Sequence, residues 1–230
     1  MIETVHTWRV EHKAGDGVDD SILSEDERDR ASRYYSEVHR RRYVHFRTAL
    51  RKLLGAYLSC APSSISFEYD YYGKPAIEPP SDPRVHFNVS HSDDVALICI
   101  SRRFAPGVDV ERVRELSDLE QLAARIMSES ELARFHELPP AMRSRAFFSA
   151  WTQKEAVLKA QGVGLSGSMP AIEVSMDRSL ALAFERAGET ILSSWRVWPL
   201  NAGAEYEASL AVQADVEVDV IERIYTRDAV

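Results

Sequence analysis

Two long amphipathic segments constrain this chain more than any other feature. In the first, from about Arg41 to Ser59, Phe46, Leu50, Leu53, Leu54, Tyr57 and Leu58 recur at helical spacing, and Pro62 ends the run. The second spans about 142–161 and carries Phe147, Trp151 and Leu158 along one face. Around them lie short strand-like runs at Ile2–Val10, 65–70, 85–89, 95–101 and Val108–Val110, and again near 171–175, 190–198 and 206–213. Ser24 with Glu27 forms a capping box that predicts a helix toward Tyr35, and residues 117–138 predict one or two helices broken by Pro139-Pro140. Strands and helices do not alternate as a doubly wound parallel sheet requires, so the expected fold class is α+β. The order strand, helix, strands occurs twice without a sequence repeat, which predicts an N-terminal half over 1–106 and a C-terminal half over 107–230.

The 230 residues can bury one large core or two small ones, and 45 % hydrophobic with 28 % charged residues describes a soluble globular chain. No stretch approaches the roughly 18 apolar residues of a membrane span, and MIETVHTWRV lacks the basic-then-apolar pattern of a secretory signal. A cytoplasmic protein is expected. Cys60 and Cys99 each sit in an apolar run, which predicts core packing rather than a disulfide or a metal site. The net charge of −8 conceals an asymmetry: from Arg28 to Lys52 nine Lys or Arg residues stand against Asp29 and Glu37. So acidic a chain disfavours nucleic acid, whereas a local basic face suits a phosphorylated ligand or an acidic protein. A solvated helical face accounts for the same run.

On a strand, alternate side chains share a face, so in Gly107-Val108-Asp109-Val110-Glu111 the two carboxylates project together while the valines face the core. Side by side they repel, and a hard divalent cation offsets that repulsion; an exposed strand end does so by solvation. Glu155 and Lys159, at i and i+4, share a helix face, as a surface ion pair or as partners in phosphate chemistry. In Phe87-Asn88-Val89-Ser90-His91-Ser92, Ser90 and His91 point to opposite faces and do not form a nucleophile–base pair. An anion cradle at a strand end and a structural Asn-Ser turn both fit this stretch. Gly162-Val163-Gly164-Leu165-Ser166-Gly167 matches a dinucleotide fingerprint in letters only, because it follows a helix instead of opening one. It is expected to turn the chain tightly.

Taken in order, YGKP at 72–75, FNVSHS at 87–92, GVDVE at 107–111 and WTQKEAVLKAQGVGLS at 151–166 resemble the Sfp-type, two-half 4′-phosphopantetheinyl transferases. Arg47-Thr48 and Leu53-Leu54-Gly55 extend the resemblance upstream. It implies two similar α+β halves related by a pseudo-twofold, with the active site in the cleft between them. The implied reaction moves the 4′-phosphopantetheine arm of coenzyme A to a serine of an apo acyl or peptidyl carrier protein and releases 3′,5′-ADP. Asp109, Glu111 and Glu155 would hold Mg²⁺, or Mn²⁺ in its place; Glu155 or a water on the metal would take the serine proton; Lys159 would meet the pyrophosphate charge. Ser90 and His91 match positions near the 3′-phosphate, and Lys74, Arg47, Thr48 and Arg30 match adenine or phosphate contacts. Glu131 falls where the family often carries a glutamate near the active centre. Two departures stand out: Glu27 occupies a position that is basic in relatives, and about five extra residues, within which Arg40, Arg41 and Arg42 are spread, precede Arg47.

The implied partners are coenzyme A and an acidic carrier protein docking on the basic 28–52 face, with no nucleic acid, no membrane and a monomeric enzyme. Two other readings compete. A metal-dependent phosphodiesterase or nuclease could use the same acids, although its E-x-K pattern places the lysine two residues from the glutamate, not four. An inactive module that binds coenzyme A or a carrier would not need the complete set Asp109, Glu111, Glu155 and Lys159.

Overall fold

Side-chain alternation along the strands sorts the protein into layers. The structure, a computed structural model, describes every residue except 1, 16, 18, 72, 79–84, 163–167, 176–180, 188, 214, 216 and 227–230. Strand β1 (Glu3–Glu11) leads to helices α1 (Glu25–Ser32) and α2 (Glu37–Leu58), the short hairpin β2 (Phe67–Tyr69) and β3 (Pro75–Ile77), and strands β4 (His86–Ser92) and β5 (Val95–Ser101). Strand β6 (Gly107–Arg112), helices α3 (Leu119–Ile126), α4 (Glu129–Glu137) and α5 (Pro140–Gln161), and strands β7 (Ile172–Glu173), β8 (Ala181–Ala187), β9 (Thr190–Pro199), β10 (Tyr206–Gln213) and β11 (Val218–Ile224) complete the chain.

One sheet has the order β11-β1-β5-β4 and the other β6-β10-β9-β8-β7. Helix α2 covers the first sheet through Phe46, Leu50, Leu53 and Leu54, which pack on Trp8, Phe87, Ile98 and Ile100. The opposite face of that sheet, with Val5, Val95 and Leu97, packs on Val108, Val110, Leu210 and Val212 of the second sheet. Helix α5 covers the remaining face of the second sheet through Phe147, Val157 and Leu158. The layers therefore run helix, sheet, sheet, helix, with a 22-residue helix outermost on each side. This is the two-half α+β arrangement expected. β11, from the far end of the chain, pairs parallel with β1 in the first sheet.

Several elements differ from expectation. Helix α1 stops at Ser32, short of Tyr35. Pro140 opens α5 instead of only ending the helix before it, because the first helical position needs no N–H donor. Strands β8 and β11 were not anticipated. ALAFERA reads as a helix by propensity, and its pairing with β9 overrides that preference. Cys99 is buried as expected, but Cys60 is exposed, because Ser59 ends α2 in a left-handed turn that directs the next residue outward. No helix among the described residues is long and apolar enough to cross a membrane.

Candidate active site

The edge strands of the two packed sheets, β4 and β6, run beside each other, and the even-numbered side chains of β4 stitch the seam. Asn88 Oδ1 accepts the Val108 N–H at 3.0 Å, Ser90 Oγ donates to Asp109 Oδ1 at 2.7 Å, and Ser92 Oγ donates to Glu111 at 2.9 Å. The polar residues at 88, 90 and 92 recur with strand period two, a signal that sequence reasoning passed over for Asn88 and Ser92. Val89 and His91 face the other way, toward α2, and His91 stacks on Phe46. The structure thus separates Ser90 from His91: the serine joins the carboxylates, whereas the imidazole faces a cavity described below.

Helix α5 completes the group. Lys159 Nζ donates to Asp109 Oδ1 at 2.7 Å and to Ser90 at 3.0 Å. Glu155, one turn earlier, is buried on the same side, so neither residue belongs to a solvated surface pair. Close approach of α5 to β6 depends on Gly107. A Cβ there would lie 1.9 Å from the Ala156 carbonyl oxygen and 2.5 Å from the Ala160 nitrogen.

The rest of the WTQKE stretch fixes the helix to its surroundings. The Trp151 ring lies tilted beside Phe147, Thr152 Oγ1 lies 3.1 Å from Ser209 Oγ, and Gln153 donates to the Ser175 carbonyl at 2.5 Å. Lys154, a residue that sequence reasoning did not single out, points away from Glu155 into the core. There it donates to Glu131 at 2.7 Å and to the carbonyls of Met169 and Ile172. Glu131 is therefore not part of the carboxylate group. It is fully buried, caps α4 through the Ser128 N–H and accepts the Val174 N–H.

Electrostatics mark the carboxylate group as strained by charge. Burial raises the Glu111 pKa, and Asp109 raises it further. Burial likewise raises Glu155, with Asp109 and Glu111 adding to the shift against Lys159. Asp109 Oδ2 and Glu155 Oε1 are buried without a hydrogen-bond partner. As positioned, no group of three or more His, Cys, Asp or Glu side chains among the described residues is arranged to hold a metal ion. The two orphaned oxygens, with Glu111 beside them, are nevertheless the hard donors a small divalent cation takes.

Two adjoining cavities share Gly73, Pro75 and Val89 in their walls, and the smaller reaches this group. One, of about 310 Å³, is lined by Lys74, Asn88, Glu155 and Lys159. The other, of about 420 Å³, is lined by Arg30, Tyr43, Phe46, Arg47 and His91. Partial desolvation at the cavity wall, followed by Lys159 and Arg30, lowers the His91 pKa.

The basic run lines the larger cavity but is mostly neutralised in place. Glu27, anomalous in sequence, is buried and accepts Arg47 and Arg51 together. Arg40 and Arg41 pair with Glu37, and Arg42 pairs with Asp93 and Asp94. Arg30 lies over the Tyr43 ring. Thr48 donates to the Asp19 carbonyl at 2.9 Å and does not line the cavity. The Lys74 ammonium is bonded to the Lys159 backbone carbonyl at 2.7 Å. Gly162 caps α5 in the left-handed region, while 163–167 of the glycine-rich stretch and Tyr72 of YGKP lie outside the described residues.

Comparison with known proteins finds matches on both sides of the seam. The 4′-phosphopantetheinyl transferase superfamily profile matches residues 105–212, and that of the 4′-phosphopantetheinyl transferase N-terminal region matches 11–102. The 4′-phosphopantetheinyl transferase HetI of Nostoc is 36 % identical over 182 residues, 76 % of each chain. The transferase Sfp of Bacillus subtilis is 27 % identical over 165 residues, 72 % of this chain and 71 % of its own. AcpT of Escherichia coli O157:H7 is 33 % identical over 134 residues, 58 % and 65 % of the two chains. With one profile on each side of the β4–β6 seam and HetI 36 % identical over 76 % of the chain, the chain belongs to the 4′-phosphopantetheinyl transferase superfamily.

Proposed function

We propose that the protein transfers the 4′-phosphopantetheine arm of coenzyme A to a serine hydroxyl of an apo carrier protein, releasing 3′,5′-ADP. The observation that carries this reading is the junction of a buried carboxylate–lysine group with a cavity bordered by Arg30, Arg47 and His91. A pyrophosphate ester with a nucleotide end needs those two environments side by side. In the reaction a serine oxygen forms a bond to the phosphorus of the arm, and the bond from that phosphorus to the bridging oxygen of the pyrophosphate breaks. The serine proton leaves to a base.

Glu155 suits the base: burial raises its pKa, and Oε1 has no partner in the resting protein. Lys159 would meet the charge that develops on the bridging oxygen as it leaves on the 5′-phosphate of 3′,5′-ADP. Ser90 holds Asp109 in place, and Ser92 holds Glu111. Arg30 and His91 face the nucleotide end, and Arg47, fixed by Glu27, presents a preorganised guanidinium to it. Asp109, Glu111 and Glu155 would hold Mg²⁺ or Mn²⁺, which when bound neutralises phosphate oxygens and offsets the repulsion among the three acids.

The carrier is read as an acidic helical protein approaching the arginine-bearing α1–α2 side, and the enzyme as a cytoplasmic monomer. Intact-protein mass spectrometry tests the reaction, using apo carriers from fatty-acid, polyketide and nonribosomal-peptide systems with coenzyme A and Mg²⁺. A gain of one phosphopantetheine arm on the carrier serine is expected. Folded enzyme that modifies no carrier in the panel removes the reading.

A further inference from the structure

The C-terminal turn of α5 is held from the opposite half of the molecule. A helix ends with backbone carbonyls that have no partner within the helix, and the negative end of its dipole favours a cation. In α5 the Gly162 N–H serves the Leu158 carbonyl, and the next carbonyl, that of Lys159, accepts the Lys74 ammonium at 2.7 Å. The two lysines are 85 positions apart in sequence.

Lys74 is itself firmly placed. Its N–H donates to Asp70 Oδ1 at 2.9 Å, its carbonyl accepts the Asp70 N–H at 3.1 Å, and Gly73 beside it adopts φ +81°. Pro75 follows at once in β3, paired to β2. The half-buried side chain therefore projects from a closed turn across the cleft, and burial lowers its pKa.

We propose that Lys74 is a positioning residue for Lys159: it grips that residue by its backbone carbonyl while Asp109 and Ser90 grip its ammonium. The inference rests on the transferase reading and assigns Lys74 an action through α5, not a contact with the nucleotide. Lys159 lies in the last turn of the helix, where fraying is easiest, and its ammonium has to meet the pyrophosphate within a fraction of an ångström. A clamp from the turn before β3 sets the end of α5 relative to β6 and links closure of the cleft to the geometry of Lys159.

The test combines hydrogen exchange with kinetics. In the substrate-free protein, Lys74→Met is expected to speed amide exchange in the peptide covering 158–162 and to leave the rest of α5 protected; unchanged exchange there overturns the proposal. Lys74→Gln, a smaller perturbation of the turn, is read in the same way if the methionine variant does not fold. In the transferase assay Lys74→Met should lower kcat about 10- to 100-fold, the scale of a misplaced catalytic group. Its Kd for 3′,5′-ADP should stay at the wild-type value. In a Lys159→Met background the same substitution should cause no further loss. A weakened Kd, or a full additional loss in that background, assigns Lys74 to the nucleotide and removes the inference. If the wild-type protein modifies no carrier, the transferase reading falls, and the exchange measurement still decides the clamp.

Discussion

Lys154 Nζ lies 2.7 Å from Glu131 Oε2, and both side chains are fully removed from solvent. The pair ties α5 to α4, and the same ammonium holds the Met169 and Ile172 carbonyls, beyond the glycine-rich exit from the helix. Burial lowers the Lys154 pKa while Glu131 opposes that shift, so the charged lysine depends on its partner. Removing one member leaves the other charge buried and alone, which costs about 3–5 kcal/mol. Lys154→Met and Glu131→Gln are each expected to lose that much in urea unfolding. The double variant Lys154→Met/Glu131→Leu should lose less than the sum of Lys154→Met and Glu131→Leu. Single losses below about 1 kcal/mol, the range of ordinary substitutions, would show that the pair does not hold these elements together.

Glu155 presents the opposite case, a carboxylate whose neighbours disfavour its charge. Burial raises its pKa first and Asp109 next, so the charged form destabilises the metal-free fold. Glu155→Gln should therefore stabilise the metal-free protein by about 0.5–2 kcal/mol. The same substitution should lower transferase activity at least about 100-fold if Glu155 is the base. Added Mg²⁺ should raise the wild-type melting temperature by mass action, and the variant should respond less. A variant that melts below wild type without metal, or gains as much from Mg²⁺, would contradict this account of the site.

How much of this is legible in sequence depends on the range of the interaction. Strand periodicity places Asp109 and Glu111 on one face, and helix periodicity does the same for Glu155 and Lys159, because both follow from local geometry. Glu27 illustrates the limit. Its capping-box role is local and readable, as the Ser24 N–H on its carboxylate shows, but its pairing with Arg47 and Arg51 spans 20 and 24 residues. Nine basic residues in one run suggest an open cationic face. Which acids lie over them is decided only when α1, α2 and the β4–β5 turn pack. Lys154 has no sequence signature either, since its neighbours Gln153 and Glu155 are equally polar and only the depth of the core beneath α5 distinguishes them.

Gly107 tests whether the contact between α5 and β6 sets the site. Alanine there would bring a methyl group against the backbone of Ala156 and Ala160, atoms that no side-chain rotation can move away. Overpacking of this kind costs about 1–3 kcal/mol or more as the helix is pushed outward. Gly107→Ala should lower stability by that amount and should lower kcat beyond it, because Glu155 and Lys159 move with the helix while Asp109 stays on the strand. Both effects are read under conditions where the variant is fully folded by circular dichroism. A variant with wild-type kcat would mean that the seam tolerates displacement.

The Glu27 cluster predicts how stability depends on pH. Burial raises the Glu27 pKa, but Arg47 and Arg51 together more than offset it, and the net shift is downward. A carboxyl whose folded pKa lies below its unfolded value adds stability above the unfolded value and loses it as pH falls through the folded one. Urea unfolding of the wild type should therefore weaken from about pH 5 downward, and Glu27→Gln should flatten that dependence. At neutral pH the variant leaves the buried Arg51 guanidinium with neutral acceptors, the Pro62 and Ile65 carbonyls among them, and no carboxylate against its charge, and a loss of about 3–5 kcal/mol is expected. Arg47, released from Glu27, should then bind 3′,5′-ADP with a less favourable entropy, since the ligand has to order a guanidinium that Glu27 otherwise holds in place. Calorimetric titration of Glu27→Gln at a temperature where it is fully folded reads this directly, and an unchanged binding entropy would show that Glu27 stabilises the fold without preparing the cavity.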